Sequence, residues 1–239
     1  MNIAFLCGGE GSRLRPFTYA VPKPMLPIGS KPILEINITR AKEQGFKRVF
    51  LLVNYKAEIL QSYFGDGSTM DVDIQYVFEN EKRGTAGPLL PLKEVIDDPF
   101  LVMNADILTK LSLVDLLNFH KSKNAELTVA LKHFQISIPY GIITTDEESG
   151  INEIKEKPQF NFLINSGIYA VSPEVLSLIP DNGLYQMTQF IVDAKKSGKH
   201  VMGYKFEDPW KDIGRMNDYL QIAKGDNDND GPSWLKDLF

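Results

Sequence analysis

The chain has 239 residues, 43% hydrophobic and 24% charged, with a formal net charge of −5, a balance that excludes a disordered or fibrous protein. The negative charge also excludes a general attraction for nucleic acid or anionic membranes, so any phosphate site has to be built locally. A single cysteine, Cys7, rules out an internal disulfide, and without a signal peptide or a bilayer-spanning run of ~20 apolar residues the expected location is the cytoplasm.

Strand-like and helix-like runs alternate, which predicts an α/β fold with a mostly parallel sheet. Asn2–Cys7 reads as a buried strand closed by Gly8 and Gly9. The segment 8–32 holds four glycines and five prolines, and no helix or strand of useful length fits among them. Ile33–Gln44 follows as a helix, with Leu34, Ile38 and Ala41 on one face and Gly45 as its stop. Arg48–Val53, Asp73–Phe78 and Phe100–Asn104 read as strands, and Lys56–Phe64 and Ala86–Ile96 as helices. Ser112 is positioned to cap a helix that carries Leu113, Leu116, Leu117 and His120 on one side.

After Asn124 the pattern changes. Glu126–Phe134, Gly141–Thr145, Ile151–Lys155 and Phe162–Val171 read as strands, interrupted at 135–140 and 146–150. Helices are expected at Pro173–Ile179, Leu184–Ser197 and Arg215–Lys224, and a strand at His200–Phe206. The division expected is one domain over 1–224, with a nucleotide-facing half over 1–124 and a half over 125–224 that shapes a second ligand site, then an acidic linker and amphipathic tail over 225–239.

The segment 8–32 is too apolar for a solvated linker, because it contains Leu14, Phe17, Met25, Leu26 and Ile28. Loops of this length in compact domains are usually functional. Glycines directly after a strand let backbone N–H groups approach a phosphate chain, and Arg13, Arg15 and Lys23 add positive charge. The familiar phosphate motifs do not fit. A G-x-G-x-x-G pattern begun at Gly9 ends on Leu14, and no G-x-x-x-x-G-K-[ST] occurs.

Leu6-Cys7-Gly8-Gly9-Glu10-Gly11-Ser12-Arg13-Leu14-Arg15-Pro16, followed by Pro22-Lys23-Pro24-Met25-Leu26-Pro27-Ile28 and Lys31-Pro32, resembles the signature of the sugar-1-phosphate nucleotidyltransferase family. Gly84–Leu89, Asn104–Asp106, Tyr140–Gly141, Glu156–Pro158, Asn165–Tyr169 and Trp210–Gly214 match in family order. Among these, Gly84–Leu89 is similar to guanylyltransferases acting on mannose-type sugars.

The resemblance implies a Rossmann-like α/β/α sandwich with a mostly parallel mixed sheet and a sugar-binding insertion region. It implies the condensation of a nucleoside triphosphate with a hexose- or heptose-1-phosphate, releasing pyrophosphate and using Mg2+. Arg13 and Lys23 would clamp the triphosphate, and Asp106 and Asp212 would hold the metal. Leu6, Gly8, Gly9, Gly11, Glu79, Gly84 and Thr85 would complete the nucleotide site. Gly141, Glu156, Lys157, Asn165 and Gly167 would form the sugar-phosphate site.

Glu79 stands five positions before Gly84, where thymine- or uracil-using relatives commonly carry glutamine. An ionised carboxylate only accepts hydrogen bonds. It matches the N1–H and N2–H donors of guanine better than the mixed edge of uracil or thymine, which favours GTP. UTP, CTP or dTTP stay open, as does a phosphorylated non-sugar acceptor. A catalytically silent nucleotide-sugar-binding subunit is the reading from another class, but the clamp and metal residues are all present.

Ala105 replaces a glycine found in many relatives, and its methyl is expected to crowd the nucleotide. His120, His133 and His200 lack ligand spacing and are expected in core or surface roles. Asp226-Asn227-Asp228-Asn229-Asp230-Gly231 matches the opening of a calcium loop, with Asp237 at its closing position. A flexible acidic linker is the reading preferred there, and Trp234, Leu235, Leu238 and Phe239 could fold back or meet another subunit. A homodimer is compatible with the sequence.

Overall fold

Strands that are apolar on both faces have to be covered on both sides, and the first, second and fourth of the predicted strands are of that kind. The computed structural model describes residues 1–79, 81–223 and Trp234. In it β1 (Asn2–Leu6) runs into the opening loop, which holds the single turn α1 (Phe17–Ala20) and a small hairpin of β2 (Pro27–Ile28) and β3 (Lys31–Pro32). Then come α2 (Ile33–Glu43), β4 (Arg48–Val53), α3 (Ala57–Phe64), β5 (Asp73–Phe78), β6 (Phe100–Asn104), β7 (Ile107–Thr109) and α4 (Leu113–Ser122). The second half adds β8 (Leu127–Ser137), β9 (Ile142–Thr145), β10 (Ile151–Lys155), β11 (Gln159–Val171), α5 (Met187–Lys196), β12 (Val201–Phe206), β13 (Trp210–Asp212) and α6 (Met216–Ala223).

Seven strands form one sheet in the order β12-β8-β11-β6-β1-β4-β5. Every neighbouring pair is parallel except those of β11, which runs against both β6 and β8. Alternation along β1 divides the core. Ile3 and Phe5 pack with Leu34 and Ile38 of α2, Leu60 of α3 and Leu116 of α4. Ala4, with Phe50 and Leu52, turns to the other face and meets Leu89, Leu92 and Phe190 of α5. The result is the expected α/β/α sandwich.

A third cluster fixes the opening loop. Leu14, Leu26 and Ile28 are fully buried with Ile33, Leu108, Ile213 and Tyr219, and Trp234 packs on the same group. Each such side chain contributes roughly 1.5–3 kcal/mol of transfer free energy, so a segment with little regular structure is still held in place.

Several predicted elements take other forms. The helix expected at 86–96 is a 3-10 helix over Gly87–Glu94, since Pro88 and Pro91 remove backbone donors. The one expected at 173–179 is likewise a 3-10 helix, Pro173–Leu178. The helix expected from Leu184 begins at Met187. Trp210–Asp212, for which no element is expected, form β13, paired antiparallel with β7 so that Asp212 faces Ile107. Strands β8 and β11 run past their predicted ends, because Gln159–Ile164 pair with Lys132–Ser137 beyond the core. They form an arm that carries the β9–β10 hairpin. The sequence motif for a calcium loop at 226–237, and the end of the last predicted helix, lie outside the described residues apart from Trp234.

Candidate active site

Strands β1, β4 and β5 progress to one side of the sheet, and β6 then returns to pair on the other side of β1. A crevice at the carboxyl ends of the strands follows from that reversal. It contains a cleft of about 430 Å³, large enough for a nucleotide. Leu6 ends β1 and Asn104 ends β6, and both line it. Gly8, Gly9, Glu79, Gly84, Thr85 and Asp106, expected from the sequence as nucleotide-site residues, line it as well.

Two glycines expected in the nucleotide site are required by geometry, Gly84 in the cleft lining and Gly11 outside it. Gly84 has φ 80°, and a Cβ on it would stand 2.6 Å from the Tyr185 carbonyl oxygen. Gly11 has φ 62°, and a Cβ would stand 2.8 Å from Thr18 Cγ2. Gly11 turns the chain so that the Thr18 hydroxyl donates to its carbonyl at 2.9 Å. Gly9 has open space around it, leaving its backbone accessible from the cleft. Glu79 is half-buried. Its Oε1 accepts the Arg83 N–H at 3.2 Å, and burial pushes its pKa up, against the lowering effect of Arg83.

The charged residues meet at one end of this cleft. Lys23, held by the 3-10 turn Lys23–Met25, donates from Nζ to Asp106 Oδ2. The other oxygen of Asp106, Oδ1, is buried and has no hydrogen-bond partner. Such an atom costs roughly 1–3 kcal/mol or more unless a ligand satisfies it. Asp212, at the end of β13, has its pKa raised by burial first and by the Asp106 charge second, while Lys23 and Arg13 pull it down. Lys23, Asp106 and Asp212 therefore meet at one place, whereas Arg13 is exposed, lines neither cavity and reaches Asp212 only through its charge. Two carboxylates, one of which keeps an orphaned oxygen, fit a divalent cation. No cluster of three or more His, Cys, Asp or Glu side chains suited to a metal occurs among the described residues.

A second, smaller cavity of about 150 Å³ adjoins this locus and shares Asn104 with the first. Asn165, Gly167, Trp210 and Asp212 line it. Here the β8–β11 ladder breaks between Asn165 and Tyr169. Gly167 has φ 74°, and a Cβ on it would stand 2.6 Å from Asn104 Nδ2. Asn165 Oδ1 accepts the Gly167 N–H at 2.9 Å, and the Trp210 indole N–H donates to the Ser166 carbonyl at 3.0 Å. The other expected sugar-phosphate residues are elsewhere. Gly141, Glu156 and Lys157 are exposed on the arm and line neither cavity. Lys157 has φ 43°, a conformation uncommon outside glycine, and its Nζ lies 3.9 Å from Glu156 Oε1.

Several lining residues carried no signal in the sequence. Lys82 pairs with Glu10 across the cleft mouth. Leu184 and Gln186 come from a distant segment tied in by backbone bonds, Tyr185 N–H to Arg83 O at 2.9 Å and Ala86 N–H to Tyr185 O at 3.0 Å. Thr85 Oγ1 accepts the Met187 N–H and donates to Gln186 Oε1. Ala105 is not a lining residue. It is 1% exposed and packs in the core, so its methyl does not crowd the cleft.

A family model described as nucleotidyl transferase matches residues 4–229. The chain belongs to the nucleotidyl transferase family. It is 32% identical to a UTP–glucose-1-phosphate uridylyltransferase of Synechocystis sp. over 94% of its own length and 63% of that protein. It is also 32% identical to a probable mannose-1-phosphate guanylyltransferase of Oryza sativa, over 92% of the chain and 63% of the relative. The chain thus spans less than two thirds of the length of these curated relatives. The crystal structure of HddC from Yersinia pseudotuberculosis superposes with a TM-score of 0.73 at 25% identity, covering 95% of this chain and 99% of that one. No helix among the described residues is long and apolar enough to cross a membrane.

Proposed function

We propose that the protein condenses a nucleoside triphosphate, GTP, with a hexose- or heptose-1-phosphate to give an NDP-sugar and pyrophosphate. The observation that carries this reading is the convergence of Lys23, Asp106 and Asp212 where the two cavities adjoin, with the charge of Arg13 felt at Asp212. Attack of a sugar phosphate on an α-phosphorus brings two anions together, so catalysis has to be charge neutralisation and alignment. Lys23 and Arg13 supply fixed positive charge to the triphosphate. Asp106 and Asp212 would hold a divalent cation, Mg2+, which when bound neutralises phosphate oxygens and the leaving pyrophosphate. The larger cavity suits the nucleotide, and the smaller one, walled by Asn165 and Gly167, suits the sugar. Glu156, Lys157 and Gly141 would join the sugar phosphate from the arm.

Relatives named for uridylyl and guanylyl transfer are equally identical to the chain, so the base rests on Glu79. Its carboxylate accepts paired donors, as N1–H and N2–H of guanine provide. The test is pyrophosphate release with each common triphosphate against a panel of sugar 1-phosphates. GTP is expected to give the highest kcat/KM, with loss of turnover on chelation of the metal. Lys23→Ala is expected to lower kcat by about 10²–10³. No pyrophosphate from any pair would remove the reaction. Preference for UTP or dTTP would remove the guanine assignment alone.

A further inference from the structure

One ion pair joins two segments of the chain at the mouth of the larger cleft. Glu10 stands in the glycine turn after β1 and Lys82 in the connection after β5, and Lys82 Nζ donates to Glu10 Oε1. Both residues line the cleft. Glu10 has a second cation beside it, because Arg15 Nη2 lies 3.6 Å from Oε2. The hydrogen bond from Lys82 holds the Glu10 carboxyl below its usual range, so this side chain is an anion at neutral pH.

A carboxylate in such a turn works against a phosphate chain. Among the described residues the cleft lining carries three acids, Glu10, Glu79 and Asp106, against two bases, Lys82 and Arg83. An unaltered lining of that balance repels a triphosphate. Arg83 is committed elsewhere. Its Nη2 donates to the Pro180 carbonyl, its Nε is buried, and a Cβ on Gly87 would stand 2.5 Å from Arg83 Cβ. Lys82 is the lining base that can come free. Its side chain is 68% exposed and that of Glu10 38%, and an exposed pair contributes little to stability. The flexible lysine stem can swing its ammonium while the backbone stays in place.

We propose that Lys82 is a phosphate-binding residue for which Glu10 is the stand-in anion, released when a nucleoside triphosphate enters, which presupposes that the cleft takes a triphosphate. One ammonium–carboxylate contact is lost and one ammonium–phosphate contact forms. The freed carboxylate keeps Arg15 beside it. Glu10 also repels any anion too weakly charged to capture Lys82, so the pair favours a triphosphate over a monophosphate.

Isothermal titration calorimetry of the full chain tests this with inorganic tripolyphosphate and with GTP, at excess Mg2+ and without sugar phosphate, so that no turnover contributes. Lys82→Ala should weaken both probes about tenfold, the loss of one charge-assisted contact, and Lys82→Arg should keep most of the affinity. Glu10→Gln should tighten both, with a smaller gain in a Lys82→Ala background. Lys93→Ala, outside the cleft lining, should leave both affinities unchanged, which separates a contact from an effect of net charge. Unchanged binding in Lys82→Ala, or weaker binding in Glu10→Gln, overturns the exchange alone. A loss confined to GTP would put Lys82 on the base or ribose and overturn it too. An unsubstituted chain that binds neither probe would remove the triphosphate reading of the cleft as well.

Discussion

His120 is 1% exposed and fully bonded. Ser172 Oγ donates to the Ala125 carbonyl at 3.2 Å, so its lone pair is free to accept the His120 Nε2–H at 3.0 Å. Nδ1 then accepts from Thr128 Oγ1 at 2.8 Å. That network holds the neutral ring, and burial pushes its pKa from 6.5 down to about 4. The unfolded chain therefore binds a proton near pH 6.5 that the native state refuses. Stability is full above that pH and is lost as pH falls toward 4, by about 1.4 kcal/mol per unit and roughly 3 kcal/mol in all. Denaturant midpoints measured across this range should show the slope, and His120→Gln should flatten it. The other two histidines are at the surface, His133 beside Glu207 at 3.3 Å and His200 bonded to the Asn124 carbonyl at 3.2 Å. Core and surface placements are those expected of the three from the sequence.

Elements governed by local patterns were legible in the sequence. Arg48–Val53, Asp73–Phe78, Phe100–Asn104 and Ile151–Lys155 have the predicted bounds; for Arg48–Val53 and Phe100–Asn104 an apolar run between polar neighbours defines the strand by itself. Ser112 caps α4 as expected, accepting the Asp115 N–H at 3.2 Å. Local pattern misled where proline altered the hydrogen bonding, as over Gly87–Glu94, and where a partner strand supplied the order. Trp210–Asp212 is too short to be a strand alone and becomes one against β7. The glycine turns between elements are a second case of demand imposed by a neighbour. Gly84→Ala would combine φ 80° with a 2.6 Å approach to a backbone oxygen, at a cost of roughly 2–4 kcal/mol. Gly9→Ala meets nothing within 4 Å and should leave the melting temperature within a degree or two. Thermal denaturation of both variants checks the contrast, and equal losses would argue against it.

At the scale of the whole molecule, one sheet runs through both halves of the chain. β12, β8 and β11 come from the second half and join β6, β1, β4 and β5 from the first. Phe50 on one strand and Phe190 on α5 meet in a single cluster, so neither half has a closed core of its own. Chemical unfolding should therefore be one transition, with tryptophan fluorescence and far-UV circular dichroism giving the same midpoint. Two resolved midpoints would show that the halves fold separately. Phe50→Ala, at a fully buried position, should lower the stability of the entire chain by about 3–5 kcal/mol.

The sequence by itself determined the strand and helix alternation and the family to which its motifs belong. These depend on residue type and on spacing along the chain, which need no fold to be read. Only the tertiary structure decided which charges share a locus, because Lys23, Asp106 and Asp212 are far apart in sequence and are joined by the turn after β1, the end of β6 and the β7–β13 pair. It also brought Leu184 and Gln186 into the cleft through backbone bonds to Arg83 and Ala86. It left Glu156 and Lys157 exposed on the arm. Long-range pairing and burial are properties of the packed chain, and no local pattern encodes them.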